Sequence, residues 1–390
     1  MSCAVIDRAA ARGRVAVSLL FFSYGAILGA WTARIPAIKH VLGLSDGQLS
    51  VGLLAFAAGA ITGMQAIGRP VDRYGSARLM VPAALADAAL LVAPGYAPNL
   101  AMLVVSLYAF GVAHGALNVA MNVNGVEVQR EWGRPIMSSL HAAYSIGGFV
   151  GAAVGGLFAY AGGSAAATFL AVAAAVSALA LWAGRWAYRS HPQPQPGESA
   201  TAAMPRPTGV LFLGVLVFCC LVGEGAAADW SAVYLRDNLG TGAGFAASAY
   251  AAFAVAMMAG RLVGDRLALR FGPVALVRGC GLLAAVGFGG TLLIGRPAAG
   301  VIGFACLGAG LSCIAPQVFS AAGSQHPAAA GKAIARVAGL GFLGFVVGPV
   351  VIGAAAELVG LPTALAIPAV LALFVAATAT ALAPRTAAQR

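Results

Sequence analysis

Two carboxylates in one apolar stretch are the residues of this sequence best suited to reversible protonation. Glu224 and Asp229 lie in a run of mostly apolar residues near 209–233, and a glycine stands on each side of Glu224. A carboxyl group among apolar residues is stabilised in its neutral form, so it can bind and release a proton as its surroundings change. We predict proton coupling at both residues, with Glu224 also contacting a solute. The alternative is a structural carboxylate bonded to backbone or to an arginine.

A row of polar side chains forms a second candidate site. His114, Asn118 and Asn122 follow one another at four-residue spacing inside another apolar run, which places them on one helical face. Counting ~1.5 Å per helical residue puts Ser145, in the next run, at a depth similar to that of Asn118. We predict one polar wall here, with helix-to-helix hydrogen bonding as the alternative. The predicted solute-binding residues are Tyr24, His114, Asn118, Asn122, Tyr144, Ser145, Glu224 and Gln317.

These polar residues are exceptions in a sequence dominated by apolar side chains. Of the 390 residues 61% are hydrophobic and 9% are charged, and the mean hydropathy is +0.89. A soluble domain is roughly half apolar and about a quarter charged. So few charges cannot cover the surface of a water-soluble protein of this length. The composition therefore predicts an all-α polytopic membrane protein and argues against a soluble enzyme.

Twelve apolar runs are long enough to cross a membrane, which requires roughly 20 residues each. The first run follows a short basic segment and is too long for a cleavable signal peptide, so we interpret it as the first span. The predicted spans lie near residues 15–37, 48–67, 79–96, 100–124, 137–160, 165–184, 209–233, 244–263, 274–294, 298–321, 333–356 and 363–383.

The basic residues are distributed unevenly between the two ends of these spans. The net charge is +11, and nineteen of the 23 Lys and Arg residues fall on the side that holds both termini. The other side receives only Arg34, Lys39, Arg236 and Arg296. Cytoplasmic loops are enriched in Lys and Arg, so the distribution predicts cytoplasmic termini. Because the charges are spread over many short loops, it also argues against nucleic-acid binding.

A polar, proline-rich stretch separates two sets of six spans. It runs from Arg185 to Thr208 and has the composition of an extended linker. We predict an N-terminal six-helix bundle over residues 1–184, a cytoplasmic linker over 185–208 and a C-terminal six-helix bundle over 209–390. Two pseudo-symmetric halves of this kind suit alternating access around a site at the membrane midplane.

A loop motif occurs once in each half. The first copy reads Gly68-Arg-Pro-Val-Asp72-Arg73-Tyr-Gly75-Ser-Ala-Arg78. The second reads Gly260-Arg-Leu-Val-Gly-Asp265-Arg266 and carries one extra residue before its aspartate. With the span count, linker and repeat, the motif resembles the signature loop of the major facilitator superfamily. The stretches Glu127 to His141 and Glu224 to Ser231 are similar to its bacterial inner-membrane YbjJ-type branch.

The resemblance implies a gating role for the motif residues. In that family the loop acts as a cytoplasmic latch that holds the outward-facing state, whereas membrane anchoring of the charges is the alternative. The implied gating residues are Gly68, Asp72, Arg73, Gly75, Arg78, Gly260, Asp265 and Arg266. Asp87, in the third span, is a candidate for a second proton site. The resemblance implies instead a supporting role, because the third span of that family more often supports the cavity than lines it.

Glycines at four-residue spacing mark the fifth and eleventh spans. Gly147, Gly151 and Gly155 form such a row, and Gly344 and Gly348 lie in the eleventh span. Small residues four apart allow close helix packing in a membrane. By resemblance, these rows lie at the interface between the two halves.

The pattern as a whole predicts a secondary active transporter of the bacterial inner membrane that moves a small solute by alternating access with proton coupling. A drug or metabolite exporter and an importer of a sugar-like solute remain open. A membrane-embedded transferase using Glu127, Glu131 and His141 is a weaker alternative, and the rings of like residues typical of channels are not visible. We expect a small solute, protons and the lipid bilayer as partners, a monomeric state, and neither nucleic acid, metal nor cofactor; no ATP-binding loop occurs.

Overall fold

The structure, a computed structural model, describes residues 8–189 and 207–383, and every regular element in that part of the chain is helical. The helices are α1 (Arg8–Val41), α2 (Asp46–Tyr74), α3 (Ser76–Val92), α4 (Leu100–Trp132), α5 (Met137–Tyr160), α6 (Ala165–Gly184), α7 (Pro207–Val233), α8 (Ala243–Leu282), α9 (Gly289–Ile294), α10 (Pro297–Leu311), α11 (Ile314–Gln325), α12 (Ala330–Val359), α13 (Leu361–Ala364) and α14 (Ala366–Thr378). The predicted all-α fold is confirmed.

Eleven helical stretches of the described chain are long and apolar enough to cross a membrane. One of them, Ala243–Ile294, has 52 residues, and Gly272 interrupts it with a φ of 76°. A bilayer needs only ~20 helical residues per crossing, so the break at Gly272 separates two spans. The stretches therefore supply twelve membrane crossings, as the sequence predicts.

Several helices extend beyond the predicted spans. The first runs from Arg8 to Val41 and the fourth continues to Trp132, because backbone hydrogen bonding persists into polar residues that a hydropathy criterion leaves out. The helix starts carry local signals. The Ser45 side chain accepts a hydrogen bond from Gln48 N and Gln48 bonds back, a capping box that begins α2. The Ser164 side chain accepts a hydrogen bond from Ala167 N at the start of α6, and the Asn99 side chain accepts one from Met102 N at the start of α4.

Most residues of the two motif copies lie in the last turns of helices and not in loops. Helix α2 continues through Asp72 to Tyr74, and α8 continues through Asp265 to Phe271. In each case the helical segment then ends at a glycine. The backbone angles of the two glycines are nearly the same, φ 88° and ψ 143° at Gly75 and φ 76° and ψ 163° at Gly272. Residues with a Cβ are strained in this region, so glycine is needed at both turns for its φ.

The chain divides into two compact units. The first comprises Met1–Ile136, Leu140–Pro205 and His326–Arg336, and the second comprises Met137–Ser139, Arg206–Gln325 and Val337–Arg390. Each unit thus includes a short segment from the other half of the sequence, at the start of α5 or of α12. The predicted division at residues 184 and 209 stays a prediction. Most of the predicted linker lies outside the described residues.

Within each unit, glycines bring pairs of helices into backbone contact. A Cβ added to Gly147 or Gly151 of α5 would lie 2.0 Å from a carbonyl oxygen of α1, and one added to Gly25 of α1 would lie 2.0 Å from Tyr144 O. In the second unit, a Cβ at Gly344 would lie 2.4 Å from Phe218 O of α7. The predicted close packing is present at these positions. The contacts join helices of the same unit, where the resemblance had implied an interface between halves.

Candidate functional site

The predicted proton-coupling residue Glu224 has a buried basic partner. Its Oε1 lies 3.5 Å from Arg261 Nη2, and the two side chains are 18% and 6% exposed. The Cys220 thiol lies 3.8 Å from the same Oε1. A charge removed from water is stable only when it is paired, so each of these ionised groups requires the other.

The sequence pattern predicted that Arg261 lies in a solvated loop, and this prediction is wrong. It lies inside α8 and is 5% exposed. The extra residue changes the register, because Arg261 precedes Asp265 by four positions whereas Arg69 precedes Asp72 by three, a difference of about 100° around the helix axis. In the first copy Gly68 precedes Asp72 by four positions, and the corresponding arginine, Arg69, is exposed.

Asp229 occupies a different environment from Glu224. It lies five residues further along α7, which turns its side chain to another face of the helix, and it is exposed. The two predicted proton-coupling residues therefore do not form one carboxylate pair.

A buried polar cluster lies in the first unit around His114 of α4. Its Nδ1 lies 3.0 Å from an oxygen of Asp87, and these side chains are 1% and 0% exposed. The ring of Tyr24 from α1 stacks on the imidazole with centroids 3.8 Å apart and planes at 12°. Asn118 Nδ2 donates to Tyr24 Oη at 3.2 Å. Three of the predicted solute-binding residues thus meet on one side of α4, together with Asp87.

The other predicted solute-binding residues are placed less uniformly. The Tyr144 ring centroid lies 5.6 Å from that of Tyr24, so it adjoins the cluster. Asn122 Nδ2 donates to the Asn118 carbonyl oxygen, and Ser145 Oγ donates to the His141 carbonyl oxygen. The Gln317 amide donates to Ser138 Oγ at 3.4 Å, and both residues belong to the second unit.

The two motif aspartates make the same kind of contact. Asp72 accepts hydrogen bonds from the backbone N–H groups of Gly331 and Lys332, at 2.7 and 3.2 Å, where α12 begins. Asp265 accepts from the N–H groups of Ser138 and Ser139, at 2.8 and 3.0 Å, where α5 begins. Each carboxylate satisfies otherwise unpaired amides and lies at the positive end of a helix dipole.

Two further gating candidates are glycines in close contact with neighbouring helices, and three are arginines with exposed side chains. A Cβ at Gly68 would lie 3.0 Å from Gly331 O, and one at Gly260 would lie 2.2 Å from Ser312 Oγ, so both glycines permit close packing. The side chains of Arg73, Arg78 and Arg266 are exposed.

Sequence reasoning missed the partners of these groups. Arg261 was assigned to a loop, and Asp87 was not linked to His114. The signal for Arg261 was available, since the extra motif residue places it on the face of Asp265. No sequence signal joins Asp87 to His114, which lie 27 positions apart on different helices.

The carboxylates of the transferase alternative have structural donors. Ser76 Oγ donates to Glu127 at 2.6 Å, and the Tyr188 hydroxyl donates to Glu131 at 3.0 Å. These bonds tie α4 to α3 and to the segment after α6.

The apolar spans of residues 8–189 and 207–383, with a few buried ionisable groups among them, define a polytopic helical membrane protein. The family model for the Major Facilitator Superfamily matches residues 15–330 and 218–390, and the chain belongs to that family of secondary transporters. An uncharacterized MFS-type transporter of Yersinia pestis is 33% identical over 372 residues, covering 95% of each chain. The membrane protein MosC of Rhizobium meliloti is 33% identical over 358 residues, covering 90% of this chain and 85% of its own.

Solved structures show the same fold. The transporter FucP in its outward conformation has a TM-score of 0.81 at 17% identity, covering 97% of this chain and 100% of its own. The human organic anion transporter MFSD10 (TETRAN) has a TM-score of 0.71 at 14% identity, covering 96% and 99%. At these identities the likeness defines the fold alone.

Proposed function

We propose that this protein is a proton-coupled carrier that moves a small solute across the bacterial inner membrane by alternating access, with Glu224 as its proton site. The observation that carries the proposal is the pairing of Glu224, which is 18% exposed, with the buried Arg261, at 3.5 Å. A structural neighbour named as a fucose:proton symporter, FucP, shares the fold and is consistent with a coupled mechanism.

Protonation of Glu224 changes the electrostatic balance of this pair. Neutral Glu224 no longer places a negative charge 3.5 Å from the Arg261 guanidinium, so the buried positive charge is less well compensated in this conformation. A conformational change that hydrates the guanidinium, or a solute that contacts it, is therefore favoured when the proton is bound. Proton binding and conformation are linked in this way, as coupling requires.

Tyr24, His114, Asn118, Asn122, Tyr144, Ser145, Glu224 and Gln317 are the proposed solute contacts. Aromatic rings with amide and hydroxyl groups suit a small solute that has both polar and apolar surfaces. Asp72 and Asp265 are the proposed gating residues, because each depends on the start of one helix for two hydrogen bonds.

A pH-indicator assay tests the proposal. Proteoliposomes containing a trapped pH dye are supplied with neutral sugars, beginning with fucose, and with monocarboxylates, the solute classes suggested by the two structural neighbours. A coupled solute changes the internal pH, and an imposed pH gradient drives its accumulation. Glu224→Gln is expected to retain solute exchange and to lose pH-driven accumulation.

Asp237→Asn is a matched control, because the Asp237 side chain is 65% exposed and has no proposed role. This variant is expected to accumulate solute as the native protein does. Undiminished accumulation by Glu224→Gln would remove Glu224 from coupling. Asp229→Asn is measured beside it, since an unchanged response there removes Asp229 from the mechanism.

We also propose that both termini are cytoplasmic and that the monomer is the transporting unit. The support for the orientation is the excess of Lys and Arg on one side of the spans. Fluorescent and phosphatase fusions at each terminus test the orientation, and mass measurement of the purified protein in detergent tests the monomer.

A further inference from the structure

Arg34 is a second buried arginine, and none of the acidic residues that the structure describes is paired with it. It lies on α1 and is 4% exposed, and its Nη2 donates to the carbonyl oxygen of Gly163. Its Nε–H is buried with no hydrogen-bond partner among the described residues. An unpaired guanidinium in a buried site is strongly unfavourable, so the structure provides a positive charge that lacks its counter-ion.

A cavity adjoins this arginine at the end of the first unit remote from Asp72. Its volume is about 280 Å³, and it is lined by the last turns of α1, the residues after α3 and the turn before α6. Within the described part of the chain, none of the residues that line it is acidic. The nearby acidic residue Asp46 is paired with Lys39, and its side chain is 93% exposed.

The start of α6 supplies a second positive feature. Ser164 and Ala165 line the same cavity, and Ala165 is the first residue of a 20-residue helix. The N-terminus of a helix carries partial positive charge and presents N–H groups that anions accept. Ser164 Oγ accepts a hydrogen bond from the N–H of Ala167, and Ala165, the first residue of the helix, lines the cavity.

We propose that Arg34 and the N-terminus of α6 form a binding site for an oxyanion of the phosphate type, distinct from the proposed coupling site in the second unit. Planar guanidinium groups bind phosphate oxygens in a bidentate manner, and the helix N-terminus completes the coordination. The same chemistry is presented by a phospholipid headgroup and by a free anion.

Thermal unfolding of the full-length protein tests the site with two probes. In detergent, inorganic phosphate is compared with chloride at equal ionic strength. In the same detergent, added phosphatidylglycerol is compared with added diacylglycerol, which has no phosphate group. A rise in the unfolding temperature with phosphate identifies a free-anion site, and a rise with phosphatidylglycerol alone identifies a headgroup site. No response to either probe overturns the proposal.

Two variants separate specific binding from general charge effects. Arg34→Gln is expected to need at least about tenfold more of the active probe for the same shift, because a buried charge contact is lost. Arg236→Gln removes an arginine whose side chain is 68% exposed, and its response is expected to equal that of the native protein. An undiminished response in Arg34→Gln overturns the proposal.

A carboxylate placed in the cavity provides a test that does not depend on removing Arg34. Ala165→Asp puts a negative charge at the start of α6 beside the guanidinium, where it replaces the missing counter-ion. This variant is expected to unfold at a higher temperature than the native protein without added anion, and to respond to neither probe. A response equal to that of the native protein contradicts the proposed site.

Discussion

Arg69 and Arg261 follow the first glycine of the two copies of one sequence motif, yet Arg69 is exposed and Arg261 is buried against Glu224. The single extra residue, Gly264, turns the second copy by about 100° relative to its aspartate. Gly68 therefore lies four positions before Asp72, whereas Arg261 lies four positions before Asp265. A change of one residue thus supplies the second unit with a buried charge for which the first unit has no counterpart in its motif.

The Glu224–Arg261 pair is expected to show strong non-additivity. Arg261→Gln leaves Glu224 buried without its cation, and loss of one partner of a buried pair costs about 3–5 kcal/mol. Glu224→Gln removes the negative charge 3.5 Å from the Arg261 guanidinium. The double variant is expected to be more stable than Arg261→Gln, because neither charge remains. The unfolding temperatures of the four proteins in one detergent measure this, and additive losses would show that the two groups are independent.

Asp87 and His114 are expected to stabilise the first unit as a pair. Both are almost fully buried, and their atoms are 3.0 Å apart, so Asp87→Ala leaves a polar ring without its partner. The expected loss is about 3–5 kcal/mol if the pair is ionised. Thermal unfolding measures the loss. Asp46→Ala, at a side chain that is 93% exposed, is the matched control and is expected to leave the unfolding temperature close to that of the native protein.

The two motif aspartates are expected to protect different backbone amides. Asp72→Ala removes both acceptors at the start of α12, so the amides of Gly331 and Lys332 exchange faster, while those of Ser138 and Ser139 are unchanged. Asp265→Ala gives the reverse pattern. Loss of a cap of this kind corresponds to about 0.5–2 kcal/mol. Hydrogen–deuterium exchange followed by mass spectrometry reads both segments, and Arg73→Gln serves as an exposed control. Exchange that is unaltered in both aspartate variants would remove the capping role.

Gly151 and Gly156 provide a matched pair on α5. A Cβ at Gly151 would lie 2.0 Å from Ala26 O, whereas one at Gly156 meets nothing within 4 Å. Gly151→Ala is expected to force α1 and α5 apart and to lower the unfolding temperature. Gly156→Ala is expected to be neutral or to stabilise the helix by up to about 1 kcal/mol. Equal unfolding temperatures for the two variants would contradict the close contact.

Local sequence patterns predicted the parts of the fold that depend on neighbouring residues. The spacing of His114, Asn118 and Asn122 placed them on one helical face, and the structure joins the first two to Tyr24. The helix ends were predicted less well, because hydropathy marks the apolar centre of a span and not the polar turns beyond it. The motif was expected as a loop for the same reason, although its residues up to Tyr74 are helical.

The sequence by itself determined the class of this protein, because apolar runs of membrane length leave an all-helical membrane fold as the structure able to satisfy their backbone hydrogen bonds. It also indicated polar residues within the spans, such as His114 and Glu224. Only the tertiary structure decided which of them meet, such as Glu224 with Arg261, Asp87 with His114, and Arg34 with the start of α6. These contacts depend on how each helix is rotated and which helix packs beside it, and residues distant in the chain set both.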